Sequence, residues 1–188
     1  MKLLILDNYD SFTYNLVQLI EKTSDIKYEV YKNDRISLEK VNDFDKILLS
    51  PGPGIPKDAG ILKDLIKMYA PTKSILGVCL GLQAIGEVFG AELINLETVY
   101  HGVATEINLI AEDSLFQNCP VRFTAGRYHS WAVDYKSITN DLIVTALDDE
   151  KCVMALRHRE YDVKGVQFHP ESILTENGEL IIRNWIEK

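Results

Sequence analysis

The stretch of sequence that decides the fold is SILGVCLGLQAIGEVF, residues 74–89. Its first part, residues 74–78, is a short and mostly apolar run, which is typical of a strand buried on both faces of a sheet. Residues 80–89 have apolar side chains at helical spacing, and Gly90 follows them as a common helix stop. A buried strand that turns directly into a helix predicts an α/β protein.

The same alternation of strand and helix fills the first half of the chain. Three more strands are predicted from short apolar runs at residues 3–6, 28–31 and 46–50. Two more helices are predicted from apolar residues at helical spacing over residues 12–20 and 59–69, the first with Ser11 as its N-cap. These elements predict an open, mainly parallel, doubly wound sheet with helices on both faces.

The second half of the chain is richer in strands. Four strands joined by turns are predicted at residues 105–110, 142–147, 153–157 and 164–168, and they would form an antiparallel extension of the sheet. A last helix is predicted at residues 178–186. The chain contains no Pro/Ser-rich linker, low-complexity tract or repeat, so residues 1–188 are expected to form a single domain.

Composition and charge argue against several classes of protein. The net charge is −8 and no cluster of Lys and Arg is present, which argues against nucleic-acid binding. No apolar run reaches the roughly 18 residues that a membrane span requires. Asp7 interrupts the first apolar run well before the roughly 7–15 residues of a signal peptide, so we expect a cytoplasmic protein. Three cysteines without a CxxC spacing predict neither a disulfide framework nor a metal site, and Cys119 and Cys152 are interpreted as structural.

Cys79 lies at the predicted turn from strand to helix, in the pattern Gly-x-Cys-x-Gly. This is the cysteine analogue of a nucleophile elbow, because Gly77 and Gly81 leave room for a tight turn that exposes the central side chain. The helix N-terminus favours a thiolate there, and the amide of Leu80 points the same way and could hold an oxyanion. The alternative is that Cys79 is a small buried core residue.

A base and its orienting acid are predicted at the end of another strand. His169 follows the predicted strand 164–168, and Pro170 biases it towards an extended conformation. In an extended chain, residues two apart point to the same face, so His169 and Glu171 can lie side by side. A carboxylate beside an imidazole fixes its tautomer and stabilises the imidazolium. Together with Cys79 these residues would form a Cys-His-acid triad.

A third unusual loop is PGPG, residues 51–54. It is either a rigid turn or a source of backbone donors. Because proline has no N–H, only Gly52 and Gly54 can donate, and neither has a side chain that would block an approaching oxyanion. The loop lacks the Gly-Lys-Ser or Gly-Lys-Thr of a phosphate-binding loop.

These residues resemble the triad-type, or class I, glutamine amidotransferases. The resemblance rests on PGPG at 51–54, GVCLGLQ at 77–83 and GVQFHPES at 165–172. It is narrowed to the small subunits of anthranilate synthase or aminodeoxychorismate synthase by DNYDSFTYN at 7–15, RYHS at 127–130 and SILT at 172–175. It covers essentially the whole chain.

The resemblance implies a role for each site residue. Cys79 would be the nucleophile, with His169 and Glu171 completing the triad, and the amides of Gly52 and Leu80 would form the oxyanion hole. The residues implied to hold glutamine are Gly52, Pro53, Gly54, Leu80, Gln83, Ser130 and Trp131. No metal or cofactor is implied on this chain. The implied partner is a larger synthase subunit that uses chorismate and carries Mg²⁺, and it would receive the ammonia released from glutamine.

Two positions depart from the family pattern. Trp131 replaces the usual Leu and Val103 replaces a frequent Lys, so the charge that the family often carries at position 103 is absent.

Three alternative functions stay open. Anthranilate synthesis for tryptophan is favoured, and the same chemistry could instead serve p-aminobenzoate and folate. A stand-alone cysteine hydrolase would share the triad. A flavodoxin-like binding module would hold phosphate after the first strand, but residues 7–15 contain no glycine.

Overall fold

The computed structural model describes residues 1–188. The first strands are β1 (Lys2–Asp7), β2 (Lys27–Lys32), β3 (Lys46–Leu49) and β4 (Ser74–Val78). The later strands are β5 (Leu93–Asn95), β6 (Val103–Leu109), β7 (Arg122–Arg127), β8 (Trp131–Val133), β9 (Leu142–Leu147), β10 (Val153–His158) and β11 (Val163–Val166). The helices are α1 (Thr13–Thr23), α2 (Leu38–Val41), α3 (Leu62–Tyr69), α4 (Leu80–Val88) and α5 (Gly178–Ile186).

Nine of the strands form one sheet in the order β2-β1-β3-β4-β11-β10-β9-β6-β7. The strands from β2 to β11 run parallel, and every pairing from β11 outwards to β7 is antiparallel. Strands β5 and β8 pair separately as a small antiparallel sheet. The predicted fold class, a mainly parallel doubly wound sheet with an antiparallel extension, is confirmed.

Helices cover both faces of the parallel part. In β1, Leu4 and Leu6 point to the face covered by α3 and α4, whereas Leu3 and Ile5 point to the face covered by α1 and α5. All four of these leucine and isoleucine side chains are completely buried. Because successive side chains of a strand point to opposite faces, a strand buried on both sides needs this continuous apolar run.

Several predicted boundaries differ from the structure. Ser11 is not the N-cap of α1, which begins at Thr13 without a side-chain cap. The carboxylates of Asp7 and Asp10 stabilise this turn instead, since Asp7 accepts from the Thr13 hydroxyl and Asp10 from the Phe12 amide. The predicted helix over 59–69 begins only at Leu62. The strand predicted to end at residue 168 ends at Val166, since the following backbone bonds to β10 and β7 instead.

Four elements have no counterpart in the sequence prediction, namely β5, β7, β8 and α2. Three of them are only three or four residues long, too short to give a periodic pattern. Strand β7 is longer, but its sequence RFTAGR contains a glycine and two arginines. None of the helices combines the length and the apolarity that a membrane span requires.

The carboxyl ends of β1, β3, β4 and β11 lie at one edge of the sheet. In the parallel register Leu6 is opposite Leu49, Leu49 opposite Gly77, and Val78 opposite Val166. The loops that follow these strands therefore meet in space. Ligands of open α/β sheets bind at this edge, so the residues after Asp7, Leu49, Val78 and Val166 are expected to form the binding site.

The turn between β4 and α4 has no room for side chains at its two glycines. A Cβ on Gly77 would lie 2.4 Å from the backbone carbon of Gly81, and a Cβ on Gly81 would lie 2.7 Å from the carbonyl oxygen of Leu49. Backbone atoms cannot move aside as a flexible side chain can. The two glycines therefore allow α4 to begin directly against β3 and β4.

We expect Gly77→Ala to lower the free energy of unfolding by about 3 kcal/mol or more, since the new methyl group overlaps backbone. Gly54→Ala is the matched control, because a Cβ there meets nothing within 4 Å and only the φ of +74° is unfavourable. Its expected loss is about 1–2 kcal/mol. Chemical denaturation would measure both, and equal losses would contradict the steric explanation.

Candidate active site

Cys79 occupies the turn between β4 and α4 in a conformation that is rare for a residue with a side chain. Its φ is 53° and its ψ is −101°. Backbone of this kind costs on the order of 1–3 kcal/mol and persists only where the surroundings enforce it. The Cys79 amide donates to the carbonyl oxygen of Val166 at 2.8 Å, which ties the turn to the end of β11. The turn places the thiol at the carboxyl edge of the sheet, 5% of the residue being exposed.

His169 and Glu171 form a buried hydrogen-bonded pair beyond the end of β11. Nδ1 of His169 lies 2.6 Å from Oε1 of Glu171, and both side chains are at most 2% exposed. The backbone around them is fixed, because the His169 amide donates to Gly126 and the Thr175 hydroxyl donates to the His169 carbonyl. The carboxylate therefore holds the Nδ1–H tautomer and directs Nε2 away from itself.

The His169 imidazole is held in its charged form. Burial lowers its pKa, but the side chains of Cys79 and Glu171 oppose this effect and raise the pKa from its ordinary 6.5 to about 10. The Cys79 amide bonds to the Val166 carbonyl three residues before His169, so the thiol lies near the imidazole. Nε2 makes no hydrogen bond with another protein group, so it is free to exchange a proton with the sulfur or with a substrate. The arrangement is a nucleophile, a base and an orienting acid.

Two aromatic rings enclose the His169 imidazole. The Phe12 ring lies 5.1 Å from it at a steep angle, and the Tyr128 ring lies 4.8 Å from it. The Tyr128 hydroxyl is 3.1 Å from the hydroxyl of Ser172. These contacts fix the plane of the imidazole and limit access of water to it.

The PGPG loop lies against the N-terminus of α4. A Cβ on Gly52 would be 2.6 Å from Leu80 and 2.7 Å from Asn8, so only glycine allows this approach. Asn8 also holds the start of the loop, since its amide donates to the Ser50 hydroxyl and its side chain donates to the Ser50 carbonyl. Gly52 and Leu80 thus lie side by side next to Cys79, as the two predicted backbone donors of an oxyanion hole require.

A cavity of about 170 Å³ opens beside the thiol. Its lining residues are Gly52, Pro53, Gly54, Cys79, Gln83, Tyr128, His129, Ser130 and Trp131. Seven of these nine carry a predicted catalytic or glutamine-binding role, and Leu80 packs against Gly52 at its edge. Tyr128 and His129 were not predicted to be site residues, although both lie in the segment RYHS, residues 127–130. A larger depression of about 1040 Å³ around Arg157 and Lys164 contains no cysteine.

Gln83 and Trp131 are both predicted to bind glutamine, and the side chain of Gln83 contacts the main chain of Trp131. Nε2 of Gln83 donates to the carbonyl oxygen of Trp131 at 2.8 Å and to Oε1 of Gln167 at 3.2 Å. Nε2 of Gln167 in turn lies 3.5 Å from the Cys79 sulfur. Gln167 is a residue that sequence reasoning missed, because its role depends on contacts with residues more than 80 positions away. The departure from Leu at position 131 leaves this carbonyl contact in place.

The other two cysteines have different surroundings. Cys119 and Cys152 are half-buried and pack against the apolar cluster on the α1 and α5 face. Burial raises the pKa of Cys119, and it raises the pKa of Cys152 to about 11. Both are therefore thiols near neutral pH, as residues with a packing role would be.

We expect Cys79→Ala to lower the pKa of His169, because the substitution removes one of the two groups that raise it while burial still lowers it. NMR titration of the histidine would measure the change. Cys152→Ala is the control, since Cys152 is on the turn before β10 and is not among the groups that shift His169. An unchanged titration in Cys79→Ala would contradict the pairing of thiol and imidazole.

The charged His169 also predicts a dependence of stability on pH. Its pKa in the folded chain exceeds its ordinary value, so its contribution is complete below about pH 6.5 and is lost as the pH rises through about 10. The free energy of unfolding of the native chain relative to His169→Gln should fall across this window. A difference that stays constant with pH would contradict the prediction.

Comparison with known proteins agrees with this geometry. The sequence pattern of the class-I glutamine amidotransferase family matches residues 4–188. Anthranilate synthase component 2 of Thermus thermophilus is 45% identical over 192 residues, covering 100% of this chain and 92% of the relative. The protein of the same name from Cyanophora paradoxa is 42% identical over 189 residues, covering 98% and 97%. A crystal structure of a candidate GMP synthase component from Thermoplasma acidophilum superposes with a TM-score of 0.89 at 23% identity, covering 100% and 92%, and shows the same fold.

Proposed function

The chain belongs to the class-I glutamine amidotransferase family, and on that premise we propose that it is the glutamine-hydrolysing subunit of an anthranilate synthase. As a glutamine amidotransferase, it releases ammonia from the side-chain amide of glutamine, and its relatives place this activity in tryptophan biosynthesis. The observation that carries the proposal is the meeting of Cys79, the His169–Glu171 pair and a small polar cavity at one edge of the sheet.

In the first half of the reaction, the Cys79 sulfur attacks the side-chain amide carbon of glutamine. The amide oxygen gains negative charge, and the neighbouring amides of Gly52 and Leu80 are the proposed donors to it. A donor of this kind is worth about 3–4 kcal/mol of the activation barrier. His169 gives its Nε2 proton to the departing nitrogen, the carbon–nitrogen bond breaks, and ammonia leaves a glutamyl thioester on Cys79.

In the second half, water replaces ammonia. Nε2 of His169 accepts a proton from the water as its oxygen attacks the thioester carbon. The carbon–sulfur bond breaks, glutamate leaves, and the Cys79 thiolate and His169 imidazolium are restored. Glu171 stabilises the charged ring throughout and does not need to change its protonation state. Each step uses only groups of this chain and water.

The released ammonia requires a partner. Ammonia is largely protonated in water near neutral pH and is then no longer a nucleophile, so release into solution would waste it. A synthase subunit that uses chorismate, with Mg²⁺ on that subunit, is the proposed acceptor, because the relatives are named as components of anthranilate synthase. The flavodoxin-like alternative lacks support, since Phe12 in the segment after β1 packs against His169.

We expect Cys79→Ala to abolish glutamine hydrolysis and to lose labelling by a glutamine-like electrophile. The thioester cannot form without the sulfur. Cys119→Ala is the matched control and should keep both properties. Labelling that survives in Cys79→Ala would contradict the assignment of the nucleophile, and would favour another cysteine hydrolase mechanism.

Binding of the synthase subunit should raise glutamine turnover by on the order of tenfold, which corresponds to about 1.4 kcal/mol of the activation barrier. Glutamate release would be measured with and without the purified partner, using Cys79→Ala as the blank. Equal turnover in both samples would contradict the coupling of the two active sites.

The pathway is tested with the protein isolated from its native host together with the subunits that bind it. Glutamine and chorismate are added, and anthranilate is followed by its fluorescence. Anthranilate that depends on Cys79 supports the proposal. Formation of p-aminobenzoate after addition of a lyase, without anthranilate, would assign the chain to folate synthesis instead.

A further inference from the structure

A continuous chain of hydrogen bonds connects a buried ion pair to the Cys79 sulfur. We propose that Arg127 and His129 are positioning residues: Arg127 fixes the tautomer of His129, and His129 in that tautomer holds the Trp131 carbonyl, against which the amides of Gln83 and Gln167 are oriented. The inference rests on the proposed glutamine hydrolysis for its meaning, but not for its first test.

The chain begins at the pair formed by Arg127 on β7 and Asp148 after β9. Nη1 of Arg127 lies 2.6 Å from Oδ2 of Asp148, and the two side chains are 0% and 1% exposed. The guanidinium also stacks on Tyr100, 3.5 Å from the ring centre. An arginine cannot lose its charge and has no acceptor atom. Its remaining N–H groups are therefore donors whatever their surroundings.

Arg127 determines which ring nitrogen of His129 carries the proton. Nε of Arg127 lies 3.1 Å from Nε2 of His129, and because Nε can only donate, Nε2 must accept. Burial and the Arg127 charge lower the His129 pKa to about 3, so the ring is neutral and carries its one proton on Nδ1. Nδ1 then donates to the carbonyl oxygen of Trp131 at 2.8 Å. This tautomer is the less common one in free histidine.

The Trp131 carbonyl orients both glutamine side chains. The Trp131 carbonyl can only accept, so Gln83 must place its NH₂ group there, and the second hydrogen of that group reaches Oε1 of Gln167. Gln167 is thereby forced to turn its own NH₂ group to the Cys79 sulfur at 3.5 Å. An N–H donor favours a thiolate, whereas a reversed amide would place an oxygen beside it.

Gln83 also lines the cavity, and its NH₂ group is fully used by Trp131 and Gln167. Its carbonyl oxygen is thus the group that it can offer to an N–H of the substrate. Without the hydrogen bond from His129, the Trp131 carbonyl would lose one of its two donors, and the group that orients Gln83 would be less firmly held. The buried ion pair, which does not touch the sulfur, would in this way help to position the polar groups of the site.

The first test is the tautomer of His129 in the full-length native chain. Nitrogen-15 NMR of histidine-labelled protein near pH 7 distinguishes the two neutral tautomers and the imidazolium, with His129→Asn used to assign the signal. We expect the neutral Nδ1–H tautomer. An Nε2–H tautomer or a charged ring would overturn the inference, and neither result depends on what the protein hydrolyses.

The second test compares His129→Asn with His129→Gln. The asparagine amide reaches the position of Nδ1 and can still donate to Trp131, but it leaves Arg127 Nε without its acceptor. The glutamine amide reaches the position of Nε2 and can still accept from Arg127, but it cannot donate to Trp131. We expect His129→Gln to lose about 10–100-fold in kcat/KM for glutamine and His129→Asn to lose less than about fivefold.

Stability should follow the opposite order, with His129→Asn melting at the lower temperature because it leaves a buried charged donor unpaired. A merely structural histidine would lose activity in proportion to stability in both variants, and that result would overturn the inference. His158→Asn is the matched control, since His158 is another buried histidine whose Nδ1 accepts from two backbone amides away from the cavity. It should lose stability and keep kcat/KM.

The alkylation rate of Cys79 separates failure of this inference from failure of the proposed function. Iodoacetamide reacts with the thiolate, and mass spectrometry of the Cys79 peptide follows it without any glutamine. His129→Gln should slow the reaction more than His129→Asn does, even in a chain that hydrolyses no glutamine. Equal rates in the two variants would overturn the role of His129.

Discussion

The close approach of α4 to β3 and β4 is the constraint on which the rest of the site depends. It is possible only because Gly77 and Gly81 have no side chains, and it forces Cys79 into a conformation that other residues avoid. The conformational cost at Cys79 is offset by burial of the strands and helix around it, most of whose apolar side chains are fully enclosed. The thiol is therefore held at the edge of the sheet by the packing of the core.

The other parts of the site take their places from this turn through the register of the parallel strands. Val78 pairs with Val166, and the Cys79 amide bonds to the Val166 carbonyl, so the residues after β11 begin beside the sulfur. The PGPG loop follows β3 on the other side and is brought against Leu80 by Asn8 and Ser50. Segments distant in sequence thus converge on a cavity that is no larger than a small molecule needs.

The features that depend on local patterns could be predicted from the sequence. The parallel strands, the glycines around Cys79 and the spacing of His169 and Glu171 all follow from neighbours along the chain. Strand β7 could not be predicted, because from the sequence alone Arg127 is expected at the surface, and only the structure shows Asp148 beside it. Gln167 and Tyr128 were also missed, because their neighbours in space are supplied by α4, by Phe12 just before α1 and by the loop after β11. Ser11 is not the cap because α1 begins one residue later than expected, with Phe12 at the N-cap position and the Thr13 amide bonded to the Asp10 carbonyl.

At Trp131, the main chain makes the polar contacts of the site, and the side chain lines the cavity without taking part in them. Gln83 and His129 both bond to its carbonyl oxygen, a group that every amino acid possesses. The indole is left half-buried at the rim of the cavity, where its size and shape are not dictated by those bonds. Mutation at this position can therefore accumulate during evolution with little penalty to the polar framework, and the rim can diverge between lineages while the interior stays the same.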